Sequence, residues 1–185
     1  MTGPAAGTDL DEGQLTGLRP ERLLIHARQL AERTADTKSP RSVHARRAIS
    51  AACYALFHRV CISISWTAVP GESDHVRWAF CRTFDHRPIE SVAKWVQRQH
   101  KPPKSIAGLV DAAEQSELIG TLTEKFVRLK LMRHDADYNH LVVFGRANAL
   151  HAVRESRAAI DAVNAVYGEP PFTSLVLLKS NAVDR

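Results

Sequence analysis

SPRSVHARRAISAACYALFHRVCISISW, residues 39–66, is the stretch that decides the fold. Ser39-Pro40 is a helix-start signal. Behind it Ala45, Ala48, Ile49, Ala52, Leu56, Val60 and Ile64 recur at steps of three or four, while Arg46, Arg47 and Arg59 fall off that stripe. The spacing predicts a long helix with one face in a core, ending near Trp66 and closed off by Pro70-Gly71. Cys53 and Cys61 lie inside the apolar pattern and read as small buried hydrophobes. Cys81 brings the total to three, an odd number without a CxxC pair, which points to a reducing cytoplasm.

The same periodicity extends on both sides. Pro20 opens a first helix with Leu23, Leu24, Ala27, Leu30 and Ala31 on one side. Ser73 caps a third helix over 74–84, and Pro88 begins a fourth that Lys101-Pro102-Pro103-Lys104 stops. A short helical piece is expected over 106–114. Two long helices follow, one over 117–138 with the stripe Leu118, Leu122, Phe126 and Leu129, and one over 144–167. Phe144, Ala147, Leu150, Val153, Ile160 and Val163 are the core candidates of the latter. No stretch alternates with period two and no hairpin turn dipeptide occurs. The expected fold is all-α: an up-and-down bundle of four to five main helices with shorter helices in its middle. Residues 1–18 read as a disordered acidic tail, 19–168 as the bundle, and 169–185 as a C-terminal extension whose apolar run at 175–178 docks on the core or on a partner.

Composition narrows the function classes. The 185 residues are 44% hydrophobic and 24% charged, which suits a globular domain that needs neither disulfide nor metal to fold. No apolar run approaches the ~18 residues of a membrane span, and the start of the chain lacks the features of a secretory signal. With 25 Lys+Arg against 20 Asp+Glu the balance is mildly basic, and the excess is concentrated. Between His75 and Lys104 there are seven basic residues and two acids. Of these, Arg77, Arg82, Arg87, Lys94 and Arg98 are candidates for contacting an RNA backbone.

One polar stretch stands apart, Arg133-His134-Asp135-Ala136-Asp137-Tyr138-Asn139-His140. Arg133 lies four residues after Leu129 and seven after Phe126, so it continues the apolar stripe of its own helix. An arginine there must be paired or border a cleft. If the helix persists, Arg133, Asp137 and His140 share one face. A permanent planar cation beside an imidazole that titrates near neutrality is chemistry suited to a phosphodiester. In RNA the 2′-OH is an internal nucleophile, so Arg and His suffice without a metal. His134, Asp135, Asp137 and His140 do not have the spacing of a metal site, and no nucleotide-binding loop or hydrolase motif is present; neither metal nor cofactor is expected. A structural reading of the same residues is an Arg133–Asp137 helix ion pair with a chance histidine in the turn.

Two places together resemble the HEPN superfamily. Residues 47–58, RAISAACYALFH, are similar to its second-helix pattern of small residues followed by Tyr-Ala-x-Phe-His. Residues 133–140 resemble its R-x(4–6)-H motif and the R-x-x-A-D-Y form of one prokaryotic branch. The resemblance covers roughly 20–165. It implies a helical bundle that forms a homodimer, with two motifs meeting across the two-fold axis in a composite, metal-independent ribonuclease site. Arg133 and His140 would be catalytic, with His134, Asp137, Tyr138 and Asn139 in support; Tyr54 and His58 are expected near the motif. It also implies a toxin–antitoxin or phage-defence setting, with RNA or a nucleotide as ligand and an antitoxin such as a small nucleotidyltransferase as partner. The non-catalytic alternative is a dimerisation module that binds nucleotide, RNA or protein.

Overall fold

The computed structural model describes residues 19–34, 41–166 and 170–181. The acidic stretch 1–18 and the boundary at 168 lie outside them. The described residues form α1 (Pro20–Arg33), α2 (Arg41–Ala68), α3 (Asp74–Cys81), α4 (His86–Val96), α5 (Ala107–Glu114), α6 (Glu117–Tyr138), α7 (Arg146–Ala165) and α8 (Pro170–Asn181), with one 3-10 turn at Lys104–Ile106. They contain no strand, so the chain is an all-α helical bundle.

Helices α1, α2, α6 and α7 make the frame. Each packs along the next, and α7 also closes back on α1, with α2 central. The α2 stripe is fully withdrawn: Ala45, Ala48, Ile49, Ala52, Leu56, Val60 and Ile64 are all buried. The expectation that no run approaches a membrane span is corrected for Ser42–Ala68, which is long and apolar enough by length and average composition, yet most of it is buried within the bundle, the pattern of a core helix. Cys53 and Cys61 are buried, and burial pushes the Cys53 thiol up to about 12, so neither is a ready nucleophile. Where α2 passes α7, the buried Ser156 hydroxyl donates to the Ala52 carbonyl (2.8 Å).

Caps set the shorter helices. The Ser73 hydroxyl accepts from Val76 N–H, and Ser116 accepts from Ile119 N–H at the start of α6. Helix α4 begins two residues earlier than Pro88 signals, because the Asp85 carboxylate accepts the Arg87 N–H (2.7 Å). It also ends before the Lys101–Lys104 stretch. Arg98 takes a left-handed φ of +54°, and the Gln99 N–H returns to the Lys94 carbonyl (2.9 Å). The turn after α2 is made at Gly71, with φ +78° and open space where a side chain would begin. Gly71→Ala therefore costs backbone strain alone, and urea unfolding is expected to show a loss of about 1 kcal/mol.

Three expectations about packing are corrected. Leu118 is exposed and its neighbour Ile119 is buried, since α6 turns its Ile119–Leu122–Phe126–Leu129 side to the core. Ala147 is exposed in the first turn of α7, where the chain is still entering the bundle. Arg77 is buried rather than presented to solvent. The C-terminal apolar run belongs to an element of its own: α8 buries Phe172, Leu175 and Val176 and packs on α4 and α5.

Candidate functional site

On α2, behind the core stripe, four polar residues stand four positions apart: Arg46, Ser50, Tyr54 and His58. At that interval they form one slowly winding row along the helix. The row lies in the seam with α6, which runs antiparallel to it, and each of its first three members meets a specific group there.

Arg46 meets the end of α6. Its guanidinium donates to the carbonyls of Asp135 (3.2 Å), Ala136 (2.7 Å), Asn139 (3.0 Å) and Val142 (2.5 Å). It also lies over the Phe144 ring, 5.3 Å from its centre. The last carbonyls of a helix lack intrahelical partners and carry partial negative charge, so a cation placed there satisfies both needs. The helix stops at Tyr138. Asn139 is extended (φ −96°, ψ 98°), its N–H bonds back to the Asp135 carbonyl, and its side chain accepts from Leu141 N–H (3.1 Å). The expected single helical face of Arg133, Asp137 and His140 is thus corrected: only the first two share it. His140 stands exposed in the turn that Arg46 holds.

The next two rungs hold Arg133. The Ser50 hydroxyl donates to Asp137 Oδ1, and Asp137 Oδ2 accepts Arg133 Nε (3.1 Å). Arg133 Nη2 donates to the Tyr54 hydroxyl (2.7 Å), with the guanidinium carbon 4.2 Å from the Tyr54 ring centre. Arg133 Nη1 faces His86 Nε2 at 3.4 Å. An arginine can only donate, so Nε2 accepts and the His86 proton sits on Nδ1. His86 is the first residue of α4 and lies flat on Phe57, centres 3.8 Å apart and planes within 12°, with Tyr54 edge-on. The fourth member of the row, His58, stacks on Tyr54.

The Arg133 side chain is 20% exposed, at the margin predicted for an arginine on an apolar stripe. A guanidinium carries five N–H groups. Three are engaged here, leaving one on each terminal nitrogen, and the Tyr54 hydroxyl retains its own proton to donate. Burial, and then the charge of Arg133, hold His86 down to about 4. Burial lowers His58 as well. His86 is therefore neutral at pH 7. Beside this cluster a depression of about 450 Å³ opens between α1, α2 and α6, with Arg47, Ser50 and Asp137 in its wall.

Of the supporting candidates, Asp137 and Asn139 are built in as described. His134 and Tyr138 are exposed and lean against each other, ring centres 5.3 Å apart. The candidate RNA-contacting residues are mostly engaged elsewhere. Arg77 lies 3.6 Å from the Trp66 ring centre and pairs with Asp74 (3.2 Å). Arg87 pairs with Asp85, Lys94 with Glu90, and Arg98 with Asp111 and Glu114. Among the described residues only Arg82 of the five has no side-chain ion pair, so the 75–104 segment is less cationic in space than in sequence. Sequence reasoning missed Arg46, Ser50 and His86. The four-residue polar interval on α2 was a usable signal for the first two; nothing local marked His86.

A comparison with family models, with curated proteins and with solved structures finds no match for this chain.

Proposed function

We propose that the chain is a HEPN-like, metal-independent endoribonuclease that works as a homodimer. The observation that supports this reading best is Arg133: a half-buried guanidinium, held from three directions by Asp137, Tyr54 and His86, with two of its five N–H groups left unmatched. A cation positioned before its ligand arrives need not reorganise as charge develops. The RNA 2′-oxygen attacks the adjacent phosphorus as its proton passes to a base. The P–O5′ bond breaks, the departing oxygen takes a proton, and a 2′,3′-cyclic phosphate remains. Arg133 neutralises the pentacoordinate phosphorane, and His140 is the group assigned to proton transfer.

One chain supplies one Arg133–His140 pair, so base and acid together call for two copies. The apolar residues around His140 fit an interface with a second copy: Leu141 is 93% exposed, Val143 85% and Tyr138 67%. A toxin–antitoxin or phage-defence role, with a small nucleotidyltransferase as antitoxin, follows from the resemblance to HEPN proteins. The test is cleavage of RNA by the purified chain in EDTA. Activity that survives chelation and leaves 2′,3′-cyclic phosphate ends is the expected result. Intact RNA across varied substrates, with dimer present, argues for the other reading.

That second reading is a binding and dimerisation module. It is favoured by the completeness of the Arg133 bonds, since an arginine with three side-chain partners is also what a structural cross-brace between α2, α4 and α6 looks like.

A further inference from the structure

Arg133 and His86 face each other with the guanidinium donating to a bare imidazole nitrogen. An anion on the spare donors of Arg133 would cancel the charge that opposes protonation of His86, and would attract a second cation. We propose that Arg133, Tyr54 and His86 of a single chain form a phosphate-binding site in which His86 takes up one proton as the anion binds. This rests on the reading of Arg133 as directed at a phosphate and adds a residue to it, His86, as a positioning group.

The surroundings of His86 agree. On α2 it meets Phe57, Tyr54 and His58. On α6 it meets Phe126, Arg133 and Lys130. Its own helix contributes Asp85 at the cap. Lys130 is taken by Glu90, which also holds Lys94. Asp137 bonds to Ser50 and to Arg133 Nε, on the other side of the guanidinium. The charges nearest His86 are thus Arg133 and Lys130 against Asp85, so the neutral form prevails until an anion arrives. Burial adds to this and brings the group to about 4. The flat stack on Phe57 keeps the ring in place in either protonation state.

The sign of the linkage follows. Binding takes up a proton, so affinity for the anion rises as pH falls, and does so between the bound and free midpoints of His86. For one linked proton the limit is about tenfold per pH unit. A phosphodiester and a free terminal phosphate share this chemistry, so both need testing. Sulfate serves as a probe that does not itself titrate in the range, and a 2′-deoxyoligonucleotide supplies phosphodiesters that cannot be cleaved by 2′-OH attack.

The experiment is NMR titration of the histidine rings of the whole chain from about pH 3 to pH 7.5, a range that brackets the free His86 midpoint near 4, with and without sulfate, His86→Phe serving to assign the resonance. Sulfate is expected to raise the His86 midpoint by about one to two units. In His86→Phe, which retains an aromatic ring against Phe57, sulfate binding should lose its pH dependence, and in Arg133→Gln binding should be lost at every pH. A thermal melt of each variant confirms that it is folded. The same shift with the oligonucleotide assigns the site to phosphodiesters; a shift with sulfate alone assigns it to terminal phosphates. An unmoved His86 midpoint at saturating sulfate, or unchanged pH dependence in His86→Phe, overturns the proposal. The two readings separate cleanly. Proton-linked sulfate binding without RNA cleavage would remove the ribonuclease and keep this site, while cleavage without the His86 shift would do the reverse.

Discussion

Replacing His140 by alanine is expected to lower RNA cleavage by about 10² to 10⁴-fold and to leave the melting temperature where it was. The first half follows from the usual contribution of a positioned acid or base. The second follows from exposure: His140 lies in the turn after α6 with its side chain in solvent, so truncating it removes no packing. Arg133→Ala is expected to lose a comparable amount, about 10² to 10³-fold, as for removal of one donor to a developing oxyanion. Unlike His140→Ala it should also lower stability, because Asp137, Tyr54 and His86 each lose a partner. The pair of variants separates the two functional readings. A ribonuclease loses activity in both; a binding module shows only the melting shift of Arg133→Ala. Wild-type cleavage by His140→Ala would end the assignment of that residue.

The second large effect is expected from Arg46→Met, a change that keeps most of the stem and removes the guanidinium. Four carbonyls at the end of α6 and in the following turn lose their shared donor. Charged hydrogen bonds contribute about 1.5–3 kcal/mol each when well sheltered, but these carbonyls are partly accessible and water will replace some of the loss. A net cost of about 2 kcal/mol is expected, which for a chain of this size lowers the melting temperature by about 4–8 °C. Hydrogen exchange should localise the change, with faster exchange over residues 139–145 and an undisturbed α1. Cleavage should fall too, because the turn carries His140. A melt and an exchange pattern indistinguishable from wild type would show that the turn holds itself.

Most of the helices were legible in the chain because a helix states its phase locally. The α2 stripe from Ala45 to Ile64 is buried residue for residue. The limits of α6 also match, since Ser116 is a local cap and α6 ends at Tyr138, near the close of its polar stretch. Errors arose where a stripe was extended by one residue at an end. Leu118 and Ala147 both sit in a first turn, where a neighbouring position serves the core equally well. Arg77 departs from its expected exposure for another reason. Its charge is visible in the sequence, but the Trp66 ring and Asp74 carboxylate that absorb it come together only when α2 turns back on α3.

The candidate site divides in the same way. Arg133 and Asp137 are four residues apart on one helix, so their ion pair is written in the sequence, and so is the demand that an arginine on an apolar stripe find further partners. Which partners it finds is not. Tyr54 is 79 residues away and His86 is 47, and Arg46 reaches the turn across 93 and 96 residues. No periodicity relates such positions. They meet because α2 and α6 pack antiparallel along their apolar stripes, which sets the Arg46–Ser50–Tyr54–His58 row against the polar end of α6, and because the cap at Asp85 starts α4 early enough to lay His86 on Phe57. The sequence by itself determined an all-helical bundle and the cation at its centre of interest, since both are short-range. Tertiary structure alone decided what surrounds that cation and that His140 leaves its helix, since both depend on which faces of separate helices are pressed together.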